Sequence, residues 1–192
     1  MTFTVEQLAA ATSAPYGNAK VYHQHLLDAM ARFNIDSLQR QAAFLATVSV
    51  ESARLSAVEE GLYYRDAARL ARIYPRAFKD AKAAEPYTHN PKGLSELLYK
   101  GYHGRGAIQL TWRRNYERAG EALGYDYLGN PALVAEPKHA ALTATWFWHD
   151  TKCNDPADNG DMTGVTRRVN GPALMHLTER KAQYEIALKA LA

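Results

Sequence analysis

Three glutamates, Glu51, Glu59 and Glu60, fall within a stretch of ten residues. Paired carboxylates are the usual equipment for general acid and base work on a glycosidic bond. On a helix Glu51 shares a face with Phe44, Val48 and Leu55. A carboxyl among apolar groups loses solvation in its charged form and its pKa rises, which suits a general acid. The plainer reading is a helix-end glutamate that reaches water or an arginine. If one helix ran from 51 to 60, the two ends would lie ~13.5 Å apart, too far for a catalytic pair. If the helix ends near Leu55 and the chain turns back, ~6.5–9.5 Å becomes accessible, the separation that leaves room for a water in an inverting hydrolase. Taken singly, Glu59 and Glu60 read as surface carboxylates.

Other chemistries find no support. There is no His-Glu-x-x-His and no phosphate loop. Asp155, Asp158 and Asp161 do not form a calcium loop, because Thr166 stands where the bidentate Glu is needed. The seven histidines read as structural or solvated. No metal site and no cofactor are expected.

The elements that must carry the glutamates are helical. Thr4 and Gln7 form a capping box for a first helix. Residues 18–33 have helical spacing, and Asp36 with Gln39 suits a capping box for a helix from Ser37 to about Leu55. That helix is apolar nearly all round and should be central. Further helices are expected over 66–73, 111–123, from Pro137 through Trp146, Phe147 and Trp148, and from about Pro172 to Leu191. Residues 83–93 and 154–161 read as loops, and 99–106 as irregular. No long strand and no repeat is expected.

The chain has 192 residues, 47% hydrophobic and 22% charged, which excludes a disordered or low-complexity protein and fits one domain over 1–192. No apolar run approaches the ~20 residues of a membrane span. The start, Met1 to Glu6, lacks the basic and apolar segments of a secretory signal. Cys153 is the only cysteine, so no internal disulfide forms. The net charge of +3 is too mild to indicate nucleic-acid binding. Six basic residues (Arg65, Arg69, Arg72, Arg76, Lys79, Lys82) nevertheless crowd one segment, as a solvated face or as an attraction to a polyanion. The C-terminal helix is too weakly basic for stable membrane insertion.

Several motifs in one order resemble family-19 glycoside hydrolases. Phe44 to Ser52 is similar to the catalytic helix, and Glu60-Gly61-Leu62-Tyr63-Tyr64 with Tyr74-Pro75 follows. The fullest match is Tyr102-His103-Gly104-Arg105-Gly106-Ala107-Ile108-Gln109-Leu110-Thr111-Trp112 through Asn115 and Tyr116. Asn130-Pro131, Ala144 to Trp148, Val169-Asn170-Gly171 and Glu179-Arg180 complete the series. The resemblance implies an all-α, lysozyme-like fold of two lobes around a substrate groove. It makes Glu51 the general acid, Glu60 the general base and Thr111 a holder of the attacking water. Gln109, Asn115, Asn170 and Arg180 would bind sugar or line the groove, and Arg180 would tune a carboxylate by its charge. Tyr64, Tyr102 and Trp112 would offer flat faces to sugar rings. Read without the family, Thr111 is equally a helix cap, Trp146 to Trp148 are core, and Asn170 and Arg180 are structural hydrogen-bonders. The family usually has histidine before the acid, where this chain has Val50.

The small, disulfide-free form is similar to bacteriophage endolysins. That likeness implies a monomer that cleaves peptidoglycan glycan strands. It would be made in the host cytoplasm and released to the wall by a holin-type permeabilising partner. Chitin is the alternative substrate, and a glycan-binding module that has lost catalysis is the rival of another class.

Overall fold

The computed structural model describes residues 2–192; Met1, the first residue of the N-terminal reading, lies outside them. The first helices are α1 (Val5–Thr12), α2 (Tyr16–Arg32) and α3 (Leu38–Glu51). The middle of the chain forms α4 (Ala67–Ile73), α5 (Ala81–Ala84) and α6 (Pro91–Tyr99). Next come α7 (Arg113–Leu123), α8 (Pro137–Asp150) and α9 (Asn154–Asp158), then α10 (Met162–Asn170) and α11 (Leu177–Leu191). Among the described residues, strand-like pairing is confined to isolated bridges from Arg105 to Glu59 and to Leu110. The protein is all-α, as its motifs implied.

α3 is the central helix: everything from Gln41 to Ser49 is buried. It packs against α11, which also covers α1, while α2 lies along α8. One large apolar cluster includes Leu26, Phe44, Val48 and Trp148. A second, with Tyr116, Tyr127 and Trp146, joins it through Phe33, Leu142 and Phe147. A third cluster of Leu62, Leu70, Phe78, Ala84 and Leu94 shares no residue with the others. Its segment, 62–99, is the smaller lobe. No helix among the described residues is long and apolar enough to cross a membrane.

Several boundaries differ from expectation, each for a local reason. α3 stops at Glu51, not Leu55. The Ser52 hydroxyl donates to the Val48 carbonyl at 2.6 Å and accepts the Leu55 amide at 2.9 Å. Ala53, Arg54 and Leu55 then adopt left-handed φ of 47°, 62° and 59°, so the chain reverses. Leu55 is therefore off the helix face of Glu51. The α3 cap is Ser37, which accepts from the Arg40 amide, while Asp36 pairs with the Arg40 side chain. Within 83–93 lie the end of α5, a short 3-10 turn and the start of α6, whose Pro91 sits at a position where proline opens a helix. Residues 154–158 are helical as α9. α7 begins after Trp112, so Thr111 caps nothing; its hydroxyl donates to the Gln109 carbonyl at 2.8 Å. The last helix starts at Leu177, because Leu174 and His176 are left-handed.

Candidate active site

The site forms where the reversal after α3 meets the turn from Gly104 to Thr111. After the reversal the chain runs extended, and successive side chains of an extended segment point to opposite sides. The Glu60 amide donates to the Gly104 carbonyl at 2.8 Å, and the Gly106 amide donates to the Val58 carbonyl at 2.7 Å. The turn closes on itself through paired bonds between Arg105 and Leu110. Gly106 sits at φ +81°, and an added Cβ would come within 3.1 Å of the Val134 carbonyl, so glycine is required there.

Glu51, Gln109, Thr111, Trp112, Asn115 and Asn170 line one cavity of about 230 Å³, with Phe147 and Val169 in its wall. Six of the expected site residues thus converge. Arg180 lies beneath, wholly buried, and its Nη2 donates to Glu51 Oε1 and, at 2.7 Å, to Asn170 Oδ1. Asn170 Nδ2 also donates to Glu51 Oε1 at 3.4 Å. Glu51 therefore faces a guanidinium and an amide, not the purely apolar surroundings that its helix face suggested. Both partners use Oε1, which leaves Oε2 for a ligand in the cavity. Removing one partner of such a buried pair strands the other, at a cost of roughly 3–5 kcal/mol.

Glu60 faces a larger cavity of about 660 Å³, together with Glu59, Tyr63, Lys92, His103 and Arg105. Its Oε2 accepts from the Gly104 amide at 3.2 Å and its Oε1 from the Tyr99 hydroxyl at 2.8 Å. The Tyr74 hydroxyl makes a longer contact to Oε1 at 3.5 Å. Burial, reinforced by the bond to Glu60, pushes the Tyr99 phenol up to about 12, so it stays a donor at neutral pH. Burial and the Tyr64 hydroxyl raise Tyr74 as well.

Glu59 lines the same cavity but has different partners. Its Oε1 accepts from His103 Nε2 and from Arg105 Nε, both at 2.9 Å. Ser95 Oγ lies 2.6 Å from His103 Nδ1, which completes a chain from α6 to Glu59. Burial works to raise the Glu59 carboxyl, but the bonds and charges of His103 and Arg105 outweigh it and hold the group below its ordinary value.

The turn connects the two carboxylates. A Cβ on Gly104 would lie 3.3 Å from Thr111 Oγ1 and 2.8 Å from Gln109 Oε1, so both side chains cross directly over Gly104. Gly104 holds Glu60 by its amide, while Thr111 and Gln109 line the Glu51 cavity. Because the Thr111 proton is committed to a carbonyl, its oxygen is left as an acceptor for water.

Two expected platforms lie elsewhere. Tyr102 donates its hydroxyl to the Leu128 carbonyl at 3.3 Å and packs on Tyr116, so it braces the second cluster. The Tyr64 hydroxyl meets that of Tyr74 at 3.4 Å, and its ring packs on the third cluster, one layer behind Glu60. Trp112 does present its ring: it is 56% exposed, at φ +76°, a strained conformation for a bulky residue. From sequence alone no catalytic or binding role attached to the tyrosine, histidine and arginine partners of the two glutamates, and Arg105 read only as shaping a tight turn with Gly104 and Gly106. Tyr74, His103 and Arg105 lay inside motifs, which was the available signal; Tyr99 lay in none.

Residues 33–171 match the family described as chitinase class I of the family-19 glycoside hydrolases. Endochitinase EP3 of Arabidopsis thaliana is 34% identical over 151 residues, 76% of this chain and 48% of its own. Chitinase 10 of Oryza sativa subsp. japonica is 47% identical over 75 residues, 38% of this chain and 25% of its own. The chain thus matches between a quarter and a half of the length of these relatives. Among solved structures, chitinase C from Streptomyces griseus HUT6037 superposes with a TM-score of 0.69 at 25% identity, covering 97% of this chain and 91% of that one. A bacterial family 19 chitinase superposes at 0.63 with 25% identity, covering 98% and 96%.

Proposed function

The chain belongs to the chitinase class I family of glycoside hydrolases, and from that membership we propose that it cleaves β-1,4 bonds in polymers of N-acetylglucosamine with inversion at the anomeric carbon. The observation that carries this reading is the placement of Glu51 and Glu60 on either side of one turn, with Thr111 and Gly104 between them. In the proposed reaction Glu51 donates a proton to the glycosidic oxygen from the carboxyl oxygen that Arg180 and Asn170 leave open. Glu60 accepts a proton from a water held against Thr111 Oγ1. That water attacks the anomeric carbon from the face opposite the leaving sugar, and no covalent intermediate forms. Glu60 is favoured as base over Glu59 because His103 and the Arg105 guanidinium hold the Glu59 carboxyl below its ordinary value and so make it the weaker base, whereas the donors on Glu60 are phenols and a backbone amide. Gln109, Asn115 and Asn170 supply polar contacts to the sugar, and Trp112 supplies its stacking face.

Chitin is the substrate that the names of the relatives support. The second reading is peptidoglycan, in an endolysin role with a permeabilising partner. Its specific support is the exposed basic surface of the smaller lobe: peptide arms carry carboxylates, and chitin carries none. A binding module without catalysis fits poorly with two carboxylates held by dedicated donors.

The test compares wild type with Glu51→Gln, Glu59→Gln and Glu60→Gln on soluble N-acetylglucosamine oligomers and on outer-membrane-stripped Gram-negative cells. The 51 and 60 variants are expected to lose at least ~100-fold in rate, the 59 variant far less. NMR of the first product should show the α anomer. Unchanged turnover at 51 or 60 would refute the pair, and the substrate turned over faster decides between the two glycans.

A further inference from the structure

We propose that Tyr99 is a positioning residue that ties the sugar platform of Trp112 to the carboxylate of Glu60. The inference rests on Glu60 being the base. Tyr99 ends α6, and its hydroxyl donates to Glu60 Oε1 at 2.8 Å. Its ring packs on Trp112, with centroids 5.3 Å apart and planes at 55°. One side chain therefore touches both the exposed ring over the Glu51 cavity and the carboxylate beyond the turn. The opposite oxygen of Glu60 is held by the Gly104 amide. A donor on each oxygen stops the carboxylate from rotating about its last torsion, which is otherwise soft. The remaining lone pairs are thereby aimed at a fixed place for water.

The element fits this role. Ser95 and Tyr99 are four apart and share a face of α6. Ser95 steadies Glu59 through His103, and Tyr99 steadies Glu60 directly. Trp112 is strained at φ +76°, with its amide bonded to the Tyr102 carbonyl at 2.8 Å, so its ring is held in place against Tyr99.

The hydroxyl and the ring are separable. Tyr99→Phe keeps the packing on Trp112 and removes only the bond to Glu60. Tyr99→Leu removes both. Steady-state kinetics on soluble N-acetylglucosamine oligomers, or on solubilised peptidoglycan strands if only those are turned over, should show a kcat roughly tenfold lower for Tyr99→Phe with KM within about twofold of wild type. Tyr99→Leu should show the same loss in kcat with KM raised about three- to tenfold, and Trp112→Ala should raise KM to a similar degree. Melting temperatures confirm that each variant is folded. A kcat for Tyr99→Phe within twofold of wild type, with Glu60→Gln inactive, overturns the positioning role and leaves the base assignment intact. Full activity of Glu60→Gln overturns the base assignment and this role with it.

Discussion

Glu59 and Glu60 are adjacent in the chain and chemically identical, and their surroundings separate them. Extended backbone sends Glu59 toward His103 and Arg105 and Glu60 toward Tyr99 and the Gly104 amide. Like charges this close would repel, and each is met by its own donors instead. The depressed Glu59 carboxyl has a consequence for acid stability. Its folded pKa lies below the ordinary 4.5, so the stability it contributes is fully present above that pH and is lost as pH falls below it. The side chain is half exposed, which screens the effect. The melting temperature of wild type should exceed that of Glu59→Gln above pH 5, and the gap should close between about pH 4.5 and 3. A gap that widens on acidification would contradict the ion pairs. Glu51 meets a different environment again, a wholly buried arginine, which makes its geometry depend on α11 at the far end of the chain.

Two turns, more than any helix, make the site. The first, Ser52 to Leu55, uses a serine side chain and three left-handed residues to end α3 at Glu51. The second, Gly104 to Thr111, holds Glu60 on one edge and the Glu51 cavity on the other. Its two glycines should respond differently to a methyl group. At Gly106 alanine meets a positive φ and three atoms within 3.2 Å, one a backbone oxygen, so Gly106→Ala should lose about 1–3 kcal/mol in denaturant unfolding. At Gly104 φ is ordinary and the nearest neighbour is the mobile end of Gln109, so Gly104→Ala should melt within a few degrees of wild type. It displaces Gln109 and presses on Thr111, so its kcat should fall while the fold stands. Equal loss of stability at both positions would show that the turn has one role only.

At the scale of the molecule, the smaller lobe has its own apolar cluster and carries Arg65, Arg69, Arg72, Arg76, Lys79 and Lys82 on its surface. Asp66 and Asp80, the acidic residues of that segment, are engaged as helix caps. Exposed charges act over a Debye length of ~10 Å at 0.1 M salt and are screened beyond it. If the polymer is anionic peptidoglycan, kcat/KM should fall severalfold between 20 and 300 mM NaCl as KM rises, while hydrolysis of neutral N-acetylglucosamine oligomers stays flat. Salt-independent activity on cell walls would remove the reason for assigning the basic lobe to substrate attraction.

The helical class, the central place of α3, the capping box of α1, the proline that opens α8 and six of the residues that line the Glu51 cavity were legible from the chain alone. Apolar periodicity, caps and ordered motifs are local properties, and local physics decides them. The short helices α5, α6 and α9 were not, because Pro, Gly and Asn at their ends signal a loop and helix at once. The end of α3 at Glu51 was not either, since nothing in residue type announces three successive left-handed residues. Only the tertiary structure gave Glu59 and Glu60 different partners, set Arg180 under Glu51, engaged Tyr64 and Tyr102 in structural contacts and brought Tyr99 to Glu60. Most of those depend on residues distant in sequence, such as Glu51 with Arg180 and Glu59 with His103, where the contact belongs to the fold and not to either segment.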